Sequence, residues 1–249
     1  MIRGIYTAAS GMVAETIRTD TTANNLANAS TTGYKKDVAV SREFSGLLLQ
    51  RMNDGQNATI GTLGTGSTID AVLTQQTAGT LRPTGNPLDM AIDGRGFFTV
   101  QTPNGLRYTR NGSFTRNAAD QLVTSDGYPV VGQTGAISLN GVIGSNITIT
   151  ADGRIYNGPE ELDRLQLADF TDPSRLVKEG ANLFAAGDAV PEKTVMGKVS
   201  QATLEMSNVN IVAEMVNLIS GYRSYEINSK AVQAQDGMLD KAVNEVGRV

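Results

Sequence analysis

Three acidic residues close together, Glu160, Glu161 and Asp163, are the first candidates for chemistry, since a pair of carboxylates is what acid–base cleavage of a glycosidic bond requires. Such a pair must face each other across a cleft. Adjacency behind Asn157-Gly158-Pro159 places these side chains in a solvated turn instead. Gly61-Thr62-Leu63-Gly64-Thr65-Gly66 is the densest glycine cluster and invites comparison with a phosphate-cradling loop. It lacks the Lys-Ser/Thr of a nucleotide-binding loop and opens no helix, so it reads as a linker. Asp93-Gly94, Asp152-Gly153 and Asp188 offer oxygen ligands for calcium, but not at the spacing of a calcium loop, and Asp-Gly is ordinary turn chemistry. The chain has no histidine and no cysteine. A Ser–His–Asp triad, a Cys–His nucleophile and a Cys/His zinc site are thereby excluded. No catalytic residue, no cofactor and no metal is assigned.

The remaining composition narrows the partners. Lys plus Arg number 21 against 25 Asp plus Glu, a net charge of −4 that opposes nucleic-acid binding, which needs a basic stripe. Apolar residues make up 40% of the 249 residues, enough for a buried core. The longest apolar runs, such as Leu47-Leu48-Leu49, fall far short of the roughly 20 residues a spanning helix needs, so stable membrane insertion is not expected. The start, Met1-Ile2-Arg3-Gly4, lacks a basic segment followed by an apolar block, so no cleaved secretory signal is expected.

What remains is organisation. From Ile2 to Ser30 there is no proline, and Ile5, Ala9, Met12, Thr16, Thr19, Ala23 and Leu26 recur at helical spacing. Gly33 supplies the stop. The many Thr and Asn residues and Gly11 make this helix weak in isolation, so it needs a partner surface. At the other end Ile211, Met215, Leu218, Tyr222, Tyr225, Ser229, Val232, Asp236, Leu239, Val243 and Val246 step by four and three, all apolar except Ser229 and Asp236. That is a heptad seam of coiled-coil type. Ser207, Asn208 or Asn210 would cap its start. The expected assembly interface is therefore Ile5, Met12 and Leu26 on the first helix and Ile211, Met215, Leu218, Tyr222, Tyr225, Val232 and Leu239 on the second.

The middle reads as β-structure. Asn104-Gly105, Asp126-Gly127 and Asp152-Gly153 punctuate short alternating runs such as Gly96-Phe97-Phe98-Thr99-Val100, and Leu165–Phe170 alternates as a half-buried strand. Residues 171–200 read as loops and short strands ending near Val195–Val199. Residues 53–70, polar and rich in glycine, read as an irregular connector. The expected fold class is α+β: a central all-β domain flanked by long N- and C-terminal helices that pair as a coiled-coil-like layer. The expected division is 1–34 with 208–249 as a terminal helical domain, 35–80 as connector with irregular or extended segments, and 81–207 as the mainly β domain.

Four stretches resemble one known family. Asn24, Asn25, Leu26, Ala27 and Asn28, with Gly33, Tyr34 and Lys35, resemble the N-terminal signature of the bacterial flagellar rod and hook family. Ala91-Ile92-Asp93-Gly94-Arg95-Gly96-Phe97-Phe98 and Tyr108-Thr109-Arg110-Asn111-Gly112-Ser113-Phe114 resemble its β body. Leu204-Glu205-Met206-Ser207-Asn208-Val209-Asn210 and Glu214-Met215-Val216-Asn217 resemble its C-terminal entry. Length and Tyr225–Val232 resemble the distal-rod branch, with the proximal-rod branch next. The resemblance implies a non-enzymatic subunit that polymerises helically, with copies of itself and with other rod and hook proteins, into the hollow drive shaft between motor and hook. It also implies passage through the flagellar type III export apparatus to a site outside the cytoplasmic membrane. The alternative is a secreted β-domain binding or carbohydrate-active protein whose helices only scaffold it.

Overall fold

The structure, a computed structural model, describes residues 2–44, 47–53, 56–139, 147–180, 182–187, 189, 191–192 and 197–246. Asp188 and Val195 lie outside the described residues. In chain order the elements are helix α1 (Ile2–Ala27); strands β1 (Asp37–Glu43), β2 (Leu47–Asn53), β3 (Gln56–Leu63), β4 (Ser67–Thr74), β5 (Leu81–Pro83), β6 (Met90–Asp93), β7 (Phe97–Thr102), β8 (Gly105–Thr109), β9 (Phe114–Arg116), β10 (Leu122–Thr124), β11 (Ile147–Ile149), β12 (Arg154–Asn157), β13 (Glu160–Arg164), β14 (Leu167–Phe170), β15 (Val177–Glu179), β16 (Leu183–Ala185), β17 (Pro191–Glu192), β18 (Lys198–Gln201) and β19 (Thr203–Glu205); and helix α2 (Ile211–Lys241). The class is mixed: a helix at each end and a strand-rich middle. No helix among the described residues is long and apolar enough to cross a membrane.

The chain divides into two compact units. One comprises Met1–Leu26, Asp37–Leu73 and Asn210–Val249, and the other Ala27–Lys36 and Thr74–Val209. In the first unit, α1 tolerates its threonines because their hydroxyls are satisfied within the helix. Thr16 donates to the Met12 carbonyl at 2.9 Å, Thr21 to Ile17 at 2.8 Å and Thr22 to Arg18 at 2.9 Å. Asn210 caps α2, its Oδ1 accepting from the Ala213 N–H at 3.1 Å. The stretch 53–70 is not an irregular connector. It carries β3, paired antiparallel with β2, and the start of β4, paired with β1. The β-branched residues Thr59, Ile60, Thr62, Thr68 and Ile69 favour extended backbone and outweigh the glycines.

The second unit is built on a six-stranded sheet ordered β15-β16-β8-β7-β14-β17. Strand β7 is its centre, paired antiparallel with β8 and β14 and buried on both faces. Adjacent phenylalanines point to opposite sides, as the pleat requires. Phe98 enters one core with Val100, Phe114, Ile137 and Ile155. Phe97 enters the other, meeting Phe170 and Phe184 edge-on at 5.9 and 5.7 Å between centroids. Thr102 pairs with Gly105 across a tight turn, and β11 and β12 form a second hairpin around Gly153 (φ +78°). Asp93-Gly94 closes no hairpin, because β6 pairs with β18 and not with β7. Glu160, Glu161 and Asp163 lie on strand β13 and not in a loop. Glu161 is held by Arg154 at 3.2 Å, while the nearly buried Asp163 accepts from Thr134 at 2.7 Å.

Candidate assembly surface

Within the first unit α1 and α2 run in opposite directions and come close at Gly4 and Gly11, seven positions apart on α1, and at Gly221 on α2. A Cβ placed on Gly11 would lie 3.0 Å from Nδ2 of Asn228, and one on Gly4 would run into the amide of Gln235. Reciprocally, a Cβ on Gly221 would sit 2.5 Å from Cγ2 of Thr19. The covered side of α2 follows these contacts. Glu214 and Gly221 are buried, and Leu218, Asn228, Val232, Gln235 and Leu239 are half-buried.

One edge of this stripe (Leu218, Val232, Leu239, with Tyr225 more open) belongs to the seam read from the sequence. The other edge is Glu214, Gly221, Asn228 and Gln235, while of the remaining seam residues Met215, Tyr222 and Asp236 are exposed and Ser229 is half-buried. Small and amide side chains replace apolar ones where the helices approach, so Asp236 interrupts no seam here. A search for apolar repeats cannot find Gly4, Gly11, Gly221, Asn228 or Gln235. Their sevenfold spacing was the available signal.

Apolar side chains consequently remain open. On α2, Val212, Val216, Tyr222 and Ile227 are 71, 60, 64 and 67% exposed, and Ile211 and Met215 are also exposed. On α1, Tyr6 and Val13 are exposed, seven residues apart, while Ile5, Met12 and Leu26 are half-buried.

The N-terminal signature residues have separate tasks. Asn25 is buried and engages both backbone groups of Asp37, accepting from its N–H at 2.8 Å and donating to its carbonyl at 2.7 Å. Asn24 and Ala27 are exposed at the end of α1. Asn28 closes the next turn, its carbonyl accepting from Thr31 N–H at 3.1 Å. Gly33 has φ +69°, and a Cβ there would lie 2.5 Å from the Arg110 carbonyl carbon, so neither another conformation nor another side chain fits. Tyr34 is buried beneath the Lys178 ammonium, 4.0 Å from its ring centroid.

Lys35 is the least expected. Its Nζ donates to Oε1 of Glu205 at 2.5 Å and to the Thr77 carbonyl at 2.7 Å, with both charged side chains 1% exposed. Arg110 reaches Oε2 of Glu205 at 3.4 Å and binds the Ile92 and Gly94 carbonyls at 3.2 and 2.8 Å. Burial pushes the Lys35 ammonium below its ordinary range, against the pull of Glu205, and Arg110 is lowered for the same reason. The cluster thus joins one residue from the N-terminal stretch, one from the central stretch and one from the C-terminal entry. Sequence reading separated these stretches and gave no reason for their charges.

Among the described residues no three acidic side chains converge as a metal site would require. What the chain presents is a doubly packed β body, a buried ionic cluster and helices with open apolar sides, which is the class of a structural protein. Three family models match it in order: "Flagella basal body rod protein" over residues 5–35, "Flagellar hook protein FlgE/F/G D1 domain" over 91–157 and "Flagellar basal body rod FlgEFG protein C-terminal" over 200–245. The chain is 40% identical to the flagellar basal-body rod protein FlgG of Borreliella burgdorferi, over 98% of both chains. It is 37% identical to FlgG of Buchnera aphidicola subsp. Schizaphis graminum, over 97% of this chain and 98% of the relative. FlgG of Agrobacterium fabrum is also 37% identical, over 95 and 97%. The chain belongs to the flagellar basal-body rod family. It is a structural subunit of the rod, most like the distal rod proteins, and not an enzyme. The alternative of a secreted binding or carbohydrate-active protein finds no support in these relatives.

Proposed function

We propose that α1 and α2 pair as a coiled-coil-like layer and that neighbouring copies of the chain cover the apolar side chains this pair leaves open, so that ordering of the helices and polymerisation are coupled. The observation that carries this reading is the row Val212, Val216, Tyr222 and Ile227, more than half exposed along one long helix. Burying such a side chain contributes about 1.5–3 kcal/mol, offset by the entropy of ordering the helix and the copy. In this reading the helices (1–34 and 208–249) line the inner wall of a hollow helical tube, 35–80 connects, and 81–207 faces outward. Ile5, Met12, Leu26, Ile211, Met215, Leu218, Tyr222, Tyr225, Val232 and Leu239 divide between the pairing and the contacts with copies. Family membership supports assembly with other rod and hook axial proteins. Export through the flagellar type III apparatus to a place outside the cytoplasmic membrane completes the proposal.

The test is replacement of Val216 by Asp in cells that depend on this chain for motility. Loss of complete hook–basal bodies, with the purified variant keeping its β-sheet circular dichroism, is expected. Intact rods built from Val216→Asp would overturn the assignment of the open face. Because the chain has no cysteine, pairing can be read separately: Gly11→Cys with Asn228→Cys forms an intramolecular disulfide in dilute protein if the helices pair in this register.

A further inference from the structure

We infer that Glu205 and Asn208 form a co-docking latch, through which segments 31–36 and 74–80 of the second unit can settle only together, against 203–208. Residues 34–36 and 75–80 belong to no strand and no helix, so the sheet does not hold their backbone. Side chains from elsewhere in the unit hold it instead: Lys178 donates to the Lys35 carbonyl at 2.9 Å and Asn111 accepts from Thr32 at 2.7 Å, both on the first segment, while Glu205 and Asn208 bind the two segments at once. Glu205 takes the Gly79 N–H at 2.8 Å and the Lys35 ammonium on the same oxygen, while its own carbonyl accepts from the Gly33 N–H at 2.8 Å. Asn208 accepts the Lys36 N–H on Oδ1 at 2.8 Å. Its Nδ2 donates to the Gln75 carbonyl at 2.9 Å and to the Thr77 carbonyl at 3.2 Å. Between the two held segments, Gln75 N–H donates to the Lys36 carbonyl at 2.8 Å and Lys35 reaches the Thr77 carbonyl. Removing either segment leaves polar groups of the other without partners, and buried groups left so are penalised.

The charges make the latch asymmetric. Without Glu205, Lys35 would be a buried cation stripped of its carboxylate, while Arg110 would keep the attraction of the buried Asp169. Without Lys35, Glu205 keeps Arg110 and the Gly79 N–H. Glu205 is therefore the indispensable member. In the sequence the latch lies a few residues past the end of α1 and a few before the start of α2. This inference does not depend on how the helices pair.

Hydrogen exchange of the full-length protein, read by mass spectrometry on peptides covering 29–37, 74–80, 97–102 and 200–208, tests it. Glu205→Gln is expected to speed exchange of 29–37 and 74–80 together by at least about tenfold while 97–102 stays protected. Adding Lys35→Met to Glu205→Gln is expected to restore much of that protection, because it removes the unpaired cation. No recovery would overturn the role given to the charges. Should Glu205→Gln loosen the whole unit, Asn208→Ala decides, since it strands no buried charge. Joint acceleration of 29–37 and 74–80 supports the latch, and acceleration of one segment alone or of 200–208 alone overturns it.

Discussion

Asn228 of α2 rests on Gly11 of α1, its Nδ2 lying 3.0 Å from where a Cβ would stand, so the two long helices meet here through an amide over a bare backbone and not through a pair of apolar side chains. Gln235 over Gly4 and Thr19 over Gly221 repeat the arrangement in both directions. Glycine in a helix interior lowers stability by about 0.5–1 kcal/mol relative to alanine, and here the loss is offset by close packing.

Two glycines of α2 separate those effects. Gly237 has nothing within 4 Å of its missing Cβ, so Gly237→Ala should raise stability by about 0.5–1 kcal/mol through helix propensity alone. Gly221→Leu carries the same propensity gain but drives into Thr19 and should lower stability by about 1–3 kcal/mol. Urea unfolding followed at 222 nm checks the opposite signs. A stabilising Gly221→Leu would show that α1 does not pack at that position.

Gly33→Ala meets backbone, which cannot move aside as a flexible side chain does. The left-handed conformation at φ +69° alone is expected to lower stability by about 1–3 kcal/mol, and the contact with the Arg110 backbone adds to it. The measured denaturation midpoint should fall with an unchanged slope, as expected when native contacts alone are lost.

Lys35 gives the protein a pH signature. Its folded-state pKa is lowered from the ordinary 10.5 by burial, so between the folded value and 10.5 the unfolded chain binds more protons than the folded one. Stability therefore rises as pH increases through that alkaline window, and the penalty for the buried ammonium is fully present below it. Unfolding free energies of the wild type and Lys35→Met, measured from pH 7 to 11, should diverge in favour of the wild type as pH rises. A difference independent of pH would mean that Lys35 titrates at its ordinary value.

Periodicity made both helices legible, and turn chemistry the Asp152-Gly153 hairpin, because these are local features, whereas Ser207, Asn208 and Asn210 were equal candidates for the cap that Asn210 forms. Counting apolar residues selects Met215 and Tyr222, while the close approach of α1 and α2 involves Gly221 and Asn228, which carry no apolar signal. The strands within 53–70 were hidden by glycines that β-branched neighbours outweighed. The bond between Lys35 and Glu205 spans 170 positions, and no local pattern announces a partner at that distance. Resemblance marked the stretches that carry these residues without giving the reason, which is that each supplies one charge of a buried cluster.

Met215 and Leu218 sit three positions apart on α2, and replacing each by Asp should give different losses. Leu218 is half-buried on the side turned to α1, so Leu218→Asp is expected to lower the stability of the isolated protein by about 1–3 kcal/mol and to reduce its helix signal. Met215 is its neighbour on the helix surface but is 48% exposed, so Met215→Asp should leave the isolated protein within about 0.5 kcal/mol of the wild type. Only in company should Met215→Asp matter, because a carboxylate buried without a partner against a neighbouring copy opposes association. Sedimentation of concentrated protein and unfolding of dilute protein, run on both variants, separate the two roles. If Met215→Asp assembled as readily as the wild type while Leu218→Asp did not, the apolar surface at Met215 would be idle and association would depend on the helix pair alone.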